Sequence, residues 1–178
     1  VSEVLELAMA RIALSRYSGL WVGMKTIAEV VEAAGVIQLT PPHPFMEPKP
    51  DGHGCELNWD PSIQWPGQRF ELERRLIEHR LPAALRWARA NRLDKTIVAA
   101  PGRGHGIVTV GKAHQDLMQA CADLGLQAAD LQSLGVSIYK VAMSWPLETS
   151  GIVDFARDHS ELLVIEEKRA TVETQIKE

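Results

Sequence analysis

At 178 residues the chain can hold one full domain, or a domain with an appendage, and its 46% hydrophobic and 24% charged residues give an ordinary globular balance able to bury a core. The formal net charge of −4 argues against a nucleic-acid partner, because phosphate binding calls for a basic surface. No apolar run approaches the ~18 residues of a membrane span, and no signal peptide opens the chain.

The first predicted element is a helix over Ser2 to Tyr17, where Val4, Leu5, Leu7, Ala8, Ile12 and Leu14 recur at helical spacing behind an acceptable Ser2 N-cap. Ser18-Gly19 ends it. Leu20-Trp21-Val22-Gly23-Met24 then reads as a short buried strand. Thr26 to Ala34 is ambiguous between helix and strand, because β-branched Ile27, Val30 and Val31 weaken a helical face. Val36 to Leu39 reads as a further short strand. Seven prolines between Pro41 and Pro66 then break any periodicity. Phe45, Trp59 and Trp65 lie in the same stretch, so an ordered strap anchored by aromatic side chains is expected.

Gln68 to Arg92 is the most helical stretch, with Phe70, Leu72, Leu76, Ile77, Leu81, Leu85 and Trp87 able to form an apolar stripe. Pro82 falls inside it and predicts a kink or two successive helices. Asn91 to Lys95 closes that stretch. From there strands and helices alternate. Strands are predicted at Ile107–Val110, Val136–Met143 and Leu162–Glu166. Helices are predicted at Ala113–Leu124 and Glu148–His159 and from Thr171 onward, with a short turn or helix at Asp130–Leu134. Strands separated by helices of this length indicate a mostly parallel sheet covered on both faces, a three-layer α/β/α domain.

Gly102-Arg103-Gly104-His105-Gly106 has the composition of a phosphate loop, but its glycines precede a strand instead of opening a helix. A lead-in turn is the favoured reading. Gly111-Lys112-Ala113-His114 is better placed, at a strand's C-terminus and a helix's N-terminus, where open α/β sheets bind ligands. Gly111, Lys112 and His114 are therefore candidate ligand contacts. The alternative, and the favoured one, makes Gly111 the turn and the other two solvated first-turn residues. Trp145 follows a strand and precedes a helix, either near a ligand or interface or covering the end of the sheet. Glu166-Glu167-Lys168-Arg169 is read as surface ion pairing or an interdomain contact.

Cys55 lies in a Gly- and Pro-rich loop and Cys121 on the apolar face of a predicted helix, with no Cys-x-x-Cys pair between them. Neither an iron–sulfur cluster nor a Cys-rich zinc site is expected within the chain. His43, His53, Cys55, His79, His105 and His114 are the candidate metal ligands, but the first three, which share a loop, lack the paired spacing of a zinc motif, so no metal site is expected. A disulfide is not expected in a sequence that reads as cytoplasmic. No Ser-His-Asp arrangement or carboxylate pair stands out, and no catalytic residue is assigned. The chain opens Val1-Ser2-Glu3 and closes on Ile176-Lys177-Glu178 without a helix stop signal, ends expected of a piece of a longer polypeptide.

Five blocks go further. Ala13–Thr26 with Val30-Val31-Glu32, then Ala90–Asp94, Gly106–His114, Tyr139–Glu148 and Val164–Arg169, resemble in order blocks of the indolepyruvate ferredoxin oxidoreductases. The resemblance implies a parent enzyme that uses thiamine diphosphate, magnesium and 4Fe–4S clusters. Such an enzyme oxidatively decarboxylates aryl 2-oxoacids to acyl-CoA, with CoA as co-substrate and ferredoxin as electron acceptor. It implies residues 1–40 as the tail of a pyrimidine-binding-type domain and 41–67 as a strap. Residues 68–178 would be a domain like the C-terminal domain of transketolase, its mixed sheet carrying one antiparallel strand. The implied partners are other domains or subunits of the parent in a homo-oligomer. The family's Gly-Asp-Gly and Cys-x-x-Cys segments are absent from the chain, so the piece is expected to be a non-catalytic structural part holding no cofactor of its own. Two other readings remain beside it, a stand-alone nucleotide- or CoA-binding module and an interaction adaptor docking through the strap.

Overall fold

A computed structural model describes residues 2–38, 44–49, 57, 62–64 and 66–178. The chain forms two compact units, Val1–Asn91 and Arg92–Glu178.

The described part of the first unit is helical. Helix α1 (Ser2–Ser18) buries Ala10, Leu14 and Ser18 at i, i+4, i+8 and packs on α4 (Leu81–Ala90). Its end is set by two hydroxyls: Ser18 Oγ donates to Leu14 O, and Ser15 Oγ reaches past the helix to Leu20 O. Gly19 takes the positive φ of a helix stop and returns its N–H to Ser15 O. The expected strand at Leu20–Met24 does not form. Those residues are irregular, and Trp21 is fully exposed. Residues 36–38 of the second expected strand are irregular too, while Leu39 lies outside the described residues. Between them only the short helix α2 (Ala28–Val31) forms. A strand needs a neighbour for its N–H and C=O groups, and the described residues of this unit contain no strand to offer one.

Helix α3 (Arg69–Arg75) runs through a π-turn at Leu76–Arg80 into α4. The cause is Pro82, which has no N–H to return to Glu78 and whose ring would strike that carbonyl. The widened turn absorbs the conflict, with Leu81 N–H reaching back five residues to Leu76 O. The described part of the strap, residues 44–49, is fastened onto this unit. Phe45 lies 5.2 Å from the Trp87 ring. Asn91 exchanges two hydrogen bonds with the Met46 backbone at 2.7 and 2.8 Å, and Tyr17 Oη donates to Pro48 O. Trp59 and Trp65, the other expected anchors, lie outside the described residues, as do His43, His53 and Cys55.

The second unit is α/β. Strands β1 (Lys95–Val98), β2 (Gly104–Val110), β3 (Val136–Val141) and β4 (His159–Ile165) form one sheet in the order β1-β3-β2-β4. β2 pairs in parallel with β3 and β4, and β1 is antiparallel to β3, the one reversed strand that the family resemblance implies. β1 is an element the sequence reading did not foresee. α5 (Lys112–Asp123) and α6 (Ala128–Ser133) connect β2 to β3, α7 (Thr149–Arg157) connects β3 to β4, and α8 (Val172–Lys177) follows β4.

Alternation along the strands divides the core into two layers. Val108, Tyr139 and Val141 face Ile152 and Phe155 of α7 and Val172 of α8. Val98 and Ile138 face Cys121 of α5 and Leu131 of α6. The helices thus cover both faces, as right-handed crossovers to either side of β2 demand. Gly104, His105 and Gly106 of the glycine-rich stretch lie in β2 itself, and Gly102 and Arg103 lead into it. A Cβ on Gly104 would sit 1.9 Å from Gly135 O, and one on Gly106 would meet Leu162 and Phe155 at 2.5 and 2.8 Å. These glycines admit close backbone and ring packing where the strand begins, which agrees with a lead-in role.

Candidate functional site

In an open parallel sheet, the strands' C-terminal ends are where ligands and partners are met. Here that edge collects the starts of α5 and α7, the loop leaving β4, and the residues just before antiparallel β1. All four candidate site residues lie along it.

Gly111, with φ 56°, makes the turn from β2 into α5. Lys112 Nζ reaches both carboxylate oxygens of Asp116, at 2.8 and 2.9 Å, one helical turn on. His114 is not the solvated residue of the favoured reading, because it is buried and its Nδ1 lies 3.0 Å from Thr109 Oγ1. The Thr109 hydroxyl also donates to Tyr139 O at 3.3 Å, which leaves its oxygen to accept from Nδ1–H. Thr109 points inward from β2 at 0% exposure, so its polar group requires a partner, and α5's first turn brings the imidazole to it. Trp145, by contrast, is 66% exposed.

Three carboxylates at this edge share a pattern that the sequence reading missed: each is turned onto backbone amides. Asp94 Oδ1 accepts from Ala142 and Met143 at 2.7 and 3.2 Å, fixing the chain as it leaves β3. Its Oδ2 is buried without a hydrogen-bond partner. Burial pushes the Asp94 carboxyl above its ordinary value against the pull of the two amides, and the charge of Glu148 adds to the rise. Glu148 caps α7, accepting from Ser150 and Gly151 at 3.0 and 2.7 Å. Glu166 accepts from Thr171, Val172 and Glu173 at the start of α8. That turns the first member of the expected surface cluster into a helix cap.

The loop that carries Trp145 is clamped from a second side. Gln175 of α8 accepts from Leu147 N–H at 2.8 Å and donates to Ser144 O at 2.9 Å. Asp94 and Gln175 thus hold both flanks of an exposed aromatic side chain. The only sequence signal for this was the Trp-Pro pair between a strand and a helix, because both clamps lie far away along the chain. Among the described residues no group of three or more His, Cys, Asp or Glu side chains could hold a metal ion, and no helix is long and apolar enough to cross a membrane.

Comparison with known proteins gives two matches and one blank. A 2-oxoglutarate:ferredoxin oxidoreductase from Magnetococcus marinus, solved with 2-oxoglutarate, coenzyme A and succinyl-CoA bound, is similar at 15% identity and a TM-score of 0.44 over 65% of this chain. The chain spans 19% of that protein's length. No curated protein matches. The model of the indolepyruvate oxidoreductase domain family matches residues 95–178, from the first residue of β1 to the end of the chain. The matched segment 95–178 holds all four strands of the sheet and is similar to an indolepyruvate oxidoreductase domain.

Proposed function

We propose that the chain is a structural and assembly part of a cytoplasmic enzyme that oxidatively decarboxylates aryl 2-oxoacids such as indolepyruvate to acyl-CoA, with ferredoxin as electron acceptor. The observation that carries this reading is the family match over 95–178. The sequence blocks continue the same resemblance toward the N-terminus. In this reading residues 1–40 are the tail of a pyrimidine-binding-type domain, 41–67 a strap, and 68–178 the transketolase-like domain. The partners are the other domains or subunits of a homo-oligomeric parent.

The parent's cofactors, thiamine diphosphate with magnesium and 4Fe–4S clusters, find no fitting set of side chains among the described residues. Two cysteines cannot supply the four thiolates of a cluster, and at the sheet edge Glu148, Glu166 and Oδ1 of Asp94 are turned onto backbone amides while Asp116 pairs with Lys112. No catalytic step is therefore assigned to Gly111, Lys112, His114 or Trp145. Their part is to shape the sheet edge that the rest of the enzyme meets.

The test is a viologen-reduction assay with indolepyruvate, CoA, thiamine diphosphate and magnesium, applied to the isolated chain and to the whole enzyme that contains it. The whole enzyme is expected to reduce the dye with aryl 2-oxoacids, and the isolated chain to leave it oxidised. Turnover by the isolated chain would reject the assembly role. An enzyme inactive on every aryl 2-oxoacid would reject the parent reaction.

A further inference from the structure

We infer that the C-terminal edge of the sheet is a docking surface for an acidic segment of a partner protein, with Trp145 as its anchor. The inference goes beyond the function proposed above and holds whatever reaction the parent performs. Three observations carry it.

The first is rigidity. Trp145 is 66% exposed, yet the loop beneath it is tied by Asp94 through Ala142 and Met143 and by Gln175 through Ser144 and Leu147. An exposed tryptophan on a fixed loop loses little freedom on contact, and such aromatic side chains dominate interface energetics.

The second is charge. The edge carboxylates Asp94, Glu148 and Glu166 face inward onto seven backbone N–H groups, two of them at helix N-termini that offset a negative charge. Asp116 is matched by Lys112. Exposed Arg92 and Lys95 beside β1, with exposed Lys168 and Arg169 beyond β4, leave Glu167 as the one exposed acid set against them in these loops. The outward face of this edge is basic although the whole chain carries −4.

The third is the opposite edge, which is acidic. There exposed Asp123, Asp158 and Glu161 stand against Arg103, with Glu161 3.6 Å from His105, while Asp130 is turned onto the Gln127 N–H and Arg157 is matched by Asp154. A long polyanion such as nucleic acid would be repelled from that pole, whereas a short carboxylate-rich segment needs only the basic one. Strands about 4.8 Å apart put the basic groups of β1 and β4 roughly 15 Å from each other, with the β3 loop between them, the reach of four or five extended residues.

The probe is a fluorescein-labelled nonapeptide with one central leucine between two runs of four glutamates, titrated with the 178-residue chain and followed by anisotropy. Binding is expected at low ionic strength and should weaken toward 0.15 M salt, where the screening length falls to about 8 Å. Trp145→Ala should weaken it about tenfold with Trp145→Phe restoring most of the loss, and Lys95→Glu should weaken it several-fold while leaving the tryptophan contribution intact. Circular dichroism checks that each variant stays folded. Absence of binding, or equal binding by Trp145→Ala, would overturn the inference. So would tighter binding of a DNA duplex of equal charge. Salt-sensitive self-association in the ultracentrifuge, abolished by Trp145→Ala, would put a second copy of the chain on this edge and overturn the acidic partner.

Discussion

Two apolar runs, Leu20–Met24 in the first unit and Ile107–Val110 in the second, read alike as buried strands yet take opposite forms. The second lies in β2, paired on one side with β3 and on the other with β4. The first is irregular, with Trp21 wholly in solvent. Their hydrophobicity is comparable; what differs is the supply of neighbouring backbone. A strand's amides are satisfied by another strand, and among the described residues strands occur in the second unit alone, four of them meeting in one sheet. An apolar run therefore reports a tendency to be covered, and the surrounding fold decides whether it becomes a strand.

The contrast can be broken most sharply at the centre of the sheet. Ile138, fully buried between β1 and β2, should cost roughly 2–5 kcal/mol when replaced by alanine, read by urea unfolding of the second unit. A loss below 1 kcal/mol would mean that the sheet is not the core described here. Gly104→Ala comes next. Its Cβ meets the Gly135 backbone at 1.9 Å, so two strand ends must separate, for an expected loss of about 2 kcal/mol.

Asp94 sharpens the comparison through pH. A carboxyl whose native pKa is raised holds its proton more tightly folded than unfolded. It therefore contributes stability at pH below the ordinary aspartate value, and that stability is lost as pH rises through the raised native value. Asp94→Asn keeps an oxygen to accept from Ala142 and Met143 and removes the titration, so unfolding midpoints measured between pH 4 and 8 should lose that slope. Asp94→Ala leaves both amides without their acceptor and should cost about 1–3 kcal/mol at neutral pH. Unchanged pH dependence in Asp94→Asn would show that the carboxyl does not titrate differently on folding. The smallest effect belongs to the run that forms no strand: Trp21→Ala should stay within about 0.5 kcal/mol in the isolated chain. A larger loss would mean that Leu20–Met24 is covered after all.

Much of the second unit was legible in order. Ala113–Leu124 and Glu148–His159 carry helical spacing, and Val136–Met143 and Leu162–Glu166 carry strand composition. They appear as α5, α7, β3 and β4 with ends shifted by a few residues. The proline inside the Gln68–Arg92 helix was legible as well, because a missing N–H acts locally. β1 was not. It has four residues, and three of them are exposed, so no alternation marks it, and it is a strand because β3 offers it an edge. The site was legible only as a place. Gly111 and Trp145 mark loop positions where a strand gives way to a helix. That His114 would be buried against Thr109, and that Glu166 would cap a helix instead of joining a surface cluster, depended on groups brought from elsewhere.

What the sequence determined by itself are properties settled within a few residues or by composition. These are helical periodicity, the proline conflict at Pro82, the turn at Gly111, and a cysteine count too low for a cluster. The tertiary structure decided everything that needs a distant partner. Asp94 and Gln175 reach the Trp145 loop from 48 and 28 residues away along the chain, and β1 takes its place from β3. The division has one physical cause. Backbone dihedrals and steric conflicts are local, whereas hydrogen-bond satisfaction and burial belong to whichever groups the fold brings together.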